Sequence, residues 1–234
     1  MHTVTRLLDS RIFQWALLLA FLSCYPLSRI MPPSWAWENG VVENAQALAL
    51  VVGAVLAWLA WRRLRPHAAA LIARCAVPVW LLLAGRELSW GAVFLPPHGF
   101  DAGGPIYTSR VLWYRPLVPA FAAIVLVIVL IVAWRQRLDR PLRQVMARRR
   151  FPWLPILTIV AVMCASTFAE GHLYPFKDVV LEQGEAYEEL VELVGYLALL
   201  AAQARVLRET TPAGQPGRAG KAGAEEAATP ESIR

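Results

Sequence analysis

Charge in this chain is confined to the gaps between long apolar runs, and that segregation limits what the chain can fold into. Apolar residues fill 57% of the 234 positions and charged ones 17%, against roughly 25% charged in a soluble domain. A soluble fold scatters charge along every helix and strand, whereas a bilayer requires unbroken stretches of about 20 mostly apolar residues. In lipid the backbone must satisfy its own hydrogen bonds, so spanning elements are helices or strands of a closed barrel. Barrel strands alternate with period two, and residues 121–133 show no alternation. The expectation is an all-α, polytopic transmembrane helix bundle.

Six segments meet the length requirement, at about 12–31, 42–61, 71–93, 113–134, 153–170 and 186–205. Trp35, Trp37, Trp61, Trp113, Tyr114, Trp134 and Trp153 mark several of their ends, as expected of rings that favour the headgroup level. Pro32-Pro33 and Pro96-Pro97 fall where two helices should stop. Residues 1–208 are thus read as a six-helix transmembrane domain. Residues 209–234, rich in Ala, Gly, Pro and charge, are read as a disordered cytoplasmic tail.

Orientation follows from the 23 Lys and Arg residues. With the N-terminus inside, eighteen face the cytoplasm, including Arg6, Arg11, Arg62, Arg63, Arg65, Arg205 and Arg208. Only Arg29, Arg110, Arg115 and Lys177 face outward, and Arg86 lies within a span. This bias predicts both termini in the cytoplasm. The basic loop 135–150 is then a topology determinant that can also touch anionic lipids, and the net charge of +6 implies no nucleic acid. Cys24, Cys75 and Cys164 lie inside apolar stretches and are read as buried, inert thiols, neither a disulfide framework nor a metal knuckle. Phe21-Leu22-Ser23-Cys24 loosely resembles a lipoprotein cleavage box. Its Phe and the apolar run continuing to Ile30 favour an uncleaved span.

Acidic residues follow the opposite pattern. Glu38 and Glu43 open the second span, Glu87 sits near the end of the third, and Glu170 closes the fifth. Glu182, Glu185, Glu188, Glu189 and Glu192 lead into the sixth. The strictly apolar part of that segment, 193–202, is too short to cross a bilayer; counting back about 20 residues from Arg205 puts its outer boundary near Glu185. Glu185, Glu188, Glu189 and Glu192 stand at i, i+3, i+4, i+7, so they are expected to form one helical stripe that Gly195 and Tyr196 continue inward. A carboxylate at membrane depth costs several kcal/mol unless it meets protein, water, a cation or a proton. The stripe should therefore face the bundle interior; the alternative is a solvated helix end, chiefly for Glu185 and Glu188.

Arg86 is the one cation inside the apolar body of a span. Its neighbour Glu87 points about 100° away on a helix, so Arg86 is expected to meet Glu43 or Glu192 from another helix, as a functional group or as an ion pair fixing helix packing. Glu43, Asn44 and Gln46 head the second span, and Ser166, Thr167, Glu170 and His172 close the fifth, on the same outer face. The loop holding His98 and Asp101 could serve as a lid or as a plain connector.

Glu43-Asn44-Ala45-Gln46, Arg86-Glu87-Leu88-Ser89-Trp90-Gly91 and Glu188-Glu189-Leu190 together resemble a set of uncharacterised bacterial polytopic inner-membrane proteins with an acidic-Leu/Ile-Ser-Trp-Gly motif. Here Arg86 stands where the commoner form has a second acid. The resemblance implies a multi-pass protein of the bacterial plasma (inner) membrane and carries no activity.

The residues themselves suggest an outward-facing Glu/Arg/His site. Glu43, Glu87, Glu170, His172, Glu189 and Glu192 would gather a divalent metal cation, since oxygen-rich sets with one imidazole suit such ions. Glu87, Glu192 and His172 are the candidate catalytic acids and bases. Arg86, Asn44 and Ser89 are the candidate contacts to substrate, with Arg86 suited to a phosphate or carboxylate of a lipid-linked molecule. No HExxH, GxSxG or phosphate-loop motif is present, and Gly103-Gly104-Pro105 is a turn. Two other readings stay open. One is an accessory or assembly subunit, its acidic stripe against a membrane-protein partner or a second copy. The other is a proton- or cation-coupled transporter, disfavoured because inner segments 47–61, 117–134 and 193–204 are expected to offer no polar relay.

Overall fold

The computed structural model describes residues 2–101, 104–172 and 183–211. Lys177, Glu182 and nearly all of the expected tail lie outside the described residues. The elements are α1 (His2–Leu8), α2 (Arg11–Ser28), α3 (Val41–Arg63), α4 (Ala68–Glu87), a small hairpin of β1 (Gly99–Asp101) and β2 (Gly104–Ile106), α5 (Val118–Arg135), α6 (Asp139–Ala147), α7 (Trp153–Ala169) and α8 (Gly184–Thr210). Among the described residues, five helices are long and apolar enough to cross a membrane, and α7, at 17 residues, is apolar but shorter. The chain is an all-α helical bundle of roughly six spans and a multi-pass membrane protein.

Two boundaries differ from the expectation. The third span was expected to reach residue 93, but α4 stops at Glu87. Ser89 and Trp90 take positive φ values of 44° and 57°, and Gly91 follows at 100°, a left-handed run that no right-handed helix can absorb. The Trp90 ring folds back over Gly85, where a Cβ would lie 3.0 Å from the indole. Arg86 and Glu87 therefore sit in the last turn of a helix rather than inside its apolar body. At the other end, α8 continues to Thr210, into the segment expected to be disordered.

Packing centres on α8, which touches α1, α2, α3, α4, α6 and α7. Its buried positions are mostly small or branched: Ala186, Val191, Val194, Gly195, Ala198, Ala201 and Ala202. Lipid tails are as apolar as Leu, so helix association rests on close van der Waals contact, which small residues permit. Gly195 shows this directly, since a Cβ there would lie 2.8 Å from Val162 Cγ1 of α7. The α3–α4 hairpin is built the same way from Ala49, Ala54, Ala57 and Ala84 around Trp80. A Cβ on Gly53 would come within 2.5 Å of that indole. By contrast α5 buries only Val118 and presents Phe121, Ile124, Val127, Leu130 and Ile131 outward, as a lipid-facing helix does.

The two faces of the bundle differ in charge. α1, the α6–α7 loop and the end of α8 meet on one face, where Arg205 and Arg208 pair with Asp9, and Arg150 pairs with Glu209. The heads of α3 and α8 and the ends of α4 and α7 meet on the other, which carries the carboxylates. The hairpin lies on this acidic face against the α2–α3 loop: Gly104, at φ +109°, closes on the Trp37 ring, and the Tyr107 amide donates to Glu38. The 98–101 segment is thus tied to residues 37–38.

Candidate functional site

α3, α4 and α8 bring three carboxyl groups into one buried cleft. Glu43, in the first turn of α3, is 9% exposed and its Oε2 accepts from the Asn39 amide. Glu87, the last residue of α4, is also 9% exposed, and the Tyr196 hydroxyl donates to its Oε2 at 2.8 Å. Glu189, one turn into α8, takes Gln46 Nε2 on Oε2 at 2.8 Å, while the same nitrogen donates to the Glu189 carbonyl at 2.7 Å. Each of these carboxylates lies in the field of the others, and Glu87 and Glu189 in that of Glu192 as well.

Gln46 holds this cleft together and is itself fully buried. Its amide nitrogen is used twice, but its Oε1 is buried without a hydrogen-bond partner. Buried acceptors are almost always satisfied, and the donors described in the cleft, the Tyr196 hydroxyl and the Asn39 amide, are spent on Glu87 and Glu43. The cleft is short of donors and of positive charge.

Arg86 lies in the field of Glu87 but forms its ion pair with a different carboxylate. Arg86 Nη2 lies 3.7 Å from Glu192 Oε1, which also accepts from Ser166 Oγ at 3.1 Å. The Arg86 side chain is 62% exposed, so its guanidinium sits at the mouth with donors to spare. At the rim, His172 Nδ1 stands 3.0 Å from Glu170 Oε2, with both side chains substantially exposed. The imidazole hydrogen bond holds the Glu170 carboxyl below its ordinary range, and Glu188 shares a further hydrogen bond with it.

The sequence-derived set is therefore only partly convergent. The four α8 glutamates lie along one side of the helix, as expected, but meet different neighbours. Glu189 turns to α3, Glu192 to α4 and α7, and Glu188 to Glu170, because α8 is surrounded and successive positions face different neighbours. Glu185 is exposed. The six-residue metal set divides into a group of the buried Glu43 and Glu87 with the half-buried Glu189, the Arg86-paired Glu192 and the Glu170–His172 rim pair. Among the described residues no three His, Cys, Asp or Glu side chains are placed to hold a metal ion directly. His172 pairs with Glu170, apart from the candidate catalytic partners Glu87 and Glu192. Asn44 is exposed and donates to the Asn39 and Gly40 carbonyls at 2.8 and 2.7 Å, so it closes the α2–α3 turn. Ser89 begins the left-handed turn after α4. Cys24 is buried, but Cys164 is exposed on α7; all three thiols are free.

The inner half carries one polar link that the sequence reading did not single out. Gln203 of α8 accepts from Trp80 Nε1 at 2.6 Å and donates to the Gly53 carbonyl at 3.3 Å, a polar link among α3, α4 and α8 inside a stretch read as apolar. It does not continue the outer cleft, because Tyr196 and Gln203 are seven residues, about 10 Å, apart on α8, with only Leu and Ala between them. Asp9, buried on the basic face, was missed as well; a lone acid beside the Arg-rich ends of two helices was its available signal. No protein family matches the chain, and neither the curated proteins nor the solved structures give a match.

Proposed function

We propose that the chain works from the outer side of the bacterial inner membrane, capturing a cation in the Glu43–Glu87–Glu189 cleft, on its own or as the counterion of a lipid-linked anion held by Arg86. The basic face is then cytoplasmic, in keeping with the positive-inside bias. The observation that carries this reading is the fully buried Gln46 Oε1, without a hydrogen-bond partner among the described residues, amid three carboxyl groups none of which is in an ion pair, Arg86 being paired with Glu192. Oxygen donors of this kind suit hard cations. An ion such as Mg²⁺ keeps several of its waters, which fits a cleft where no three acids converge directly. Arg86, exposed at the mouth, is suited to a phosphate or carboxylate that would share the ion.

The test uses Mn²⁺ as the probe. Protein in nanodiscs is titrated and the free ion followed by electron paramagnetic resonance. Saturable binding that weakens tenfold or more in Glu87→Gln and in Glu189→Gln supports the reading. Absence of saturable binding in wild type, or a weakening of less than tenfold in either variant, overturns it.

A further inference from the structure

A second site lies on the opposite face, and nothing in the acidic cleft bears on it. Where α5 ends and α6 begins, the chain turns sharply. The amides of Gln136, Arg137 and Leu138 bond back to the Val132, Trp134 and Ala133 carbonyls, and Arg137 takes a positive φ of 49°. The turn lays the short helix α6 beside the end of α5 and leaves a cavity of about 800 Å³ between them. One wall belongs to a helix that already faces lipid, through Leu130, Ala133 and Trp134. The other is formed by Leu138, which precedes α6 and is buried, and by Leu142 of α6. Arg135, Arg137 and Arg143 belong to the same lining. Asp139 pairs with Arg143 at 3.4 Å, which leaves Arg135 and Arg137 as the uncompensated charges of the lining.

A partly apolar, open groove beside a lipid-facing helix, with two exposed arginines in its lining, matches one kind of molecule. We propose that this groove holds an anionic phospholipid of the adjacent leaflet. Its acyl chain would lie along Leu130 and Ala133, and its phosphate against Arg135 and Arg137. Guanidinium groups engage phosphate through paired N–H donors, and Trp134, 81% exposed, has the amphipathic ring suited to that depth. A merely basic loop would attract anionic lipid diffusely, in proportion to charge. The groove instead makes attraction depend on which arginines are present.

That difference sets the experiment. Full-length protein is equilibrated in mixed micelles with equal phosphatidylglycerol and phosphatidylcholine, and retained lipid is read by native mass spectrometry. Wild type should retain phosphatidylglycerol preferentially. Arg135→Gln/Arg137→Gln should lose about thirtyfold of that preference, while Arg148→Gln/Arg149→Gln, which removes equal charge from the same loop outside the groove, should keep it. Arg135→Lys/Arg137→Lys preserves the loop charge and hence the topology, and should fall between. Equal loss in the two glutamine pairs would reduce the effect to diffuse attraction and overturn the proposal, as would equal retention of the two lipids by wild type.

Discussion

The two ends of α8 handle buried acid in opposite ways. At the basic end the Asp9 side chain is wholly buried, yet Arg205 lies 3.0 Å from one oxygen and Arg208 meets the other. Glu209 is likewise held between Arg150 and Arg208, both at 3.2 Å. At the acidic end Glu43, Glu87 and Glu189 have hydrogen-bond donors but no ion-paired guanidinium among the described residues; Arg86, although in the field of Glu87, pairs with Glu192 instead. Desolvating a carboxylate is tolerated when it is paired, and is costly when it is not. One end is thus neutralised from within and acts as a clasp joining α1, α8 and the α6–α7 loop. The other is not neutralised in this way, and on the proposed reading a cation from outside the chain completes it.

The contrast is tested most severely at Asp9. Asp9→Asn leaves Arg205 and Arg208 without their shared carboxylate. Removing one partner of a buried pair costs 3–5 kcal/mol; because Arg208 is 46% exposed and can recruit water, the expected loss is about 2 kcal/mol. It should appear as a lower thermal midpoint in detergent, with Mn²⁺ binding at the acidic face unchanged. A midpoint equal to that of wild type would show that the clasp contributes nothing to stability.

The same kind of substitution at the other end should act in the reverse direction. Glu189→Gln keeps an amide oxygen for Gln46 Nε2 to donate to and removes a charge from the field of Glu43, Glu87 and Glu192. Without added cation it should stabilise the protein by roughly 0.5–1 kcal/mol, while the binding function is lost, as expected of a strained functional site. Destabilisation like that of Asp9→Asn would mean that Glu189 is a structural partner of Gln46 and no more.

Much of this was legible in the residues. Charge segregation and run length located all six apolar segments, and the spacing of Arg86 from Glu87 pointed to a partner on another helix, found in Glu192. The stripe on α8 was not legible as a fan, because period alone tells which residues share a side and not how many neighbours surround the helix. Gly195 and Ala198 carried that information, since a helix so small-sided can be enclosed. The end of α4 was obscured by Trp90 and Val93, which read as apolar continuation although Gly91 permits a left-handed turn. Gln203 was passed over as one polar residue in an apolar run, and only the fold shows Trp80 and the Gly53 carbonyl waiting for it.

The smallest effect concerns the rim, where an acid and a base pair without burial. Glu170 is held below the ordinary carboxylate range chiefly by its hydrogen bond from His172, with Glu188 and Arg86 adding to the effect. A lowered folded pKa means the contact stabilises above the unfolded carboxylate pKa and is lost as pH falls through the folded one. His172→Leu removes the main cause, so Glu170 should titrate closer to 4.5, and its window of acid loss should move up in pH. Because the Glu170 and His172 side chains are 39% and 74% exposed, the change in global stability should stay under about 1 kcal/mol. The measurement is the ¹³C chemical shift of labelled Glu170 between pH 2 and 7. A titration identical to wild type would mean that Glu188 and Arg86 suffice to hold Glu170, joining the rim to the Arg86–Glu192 mouth rather than leaving it a separate exposed pair.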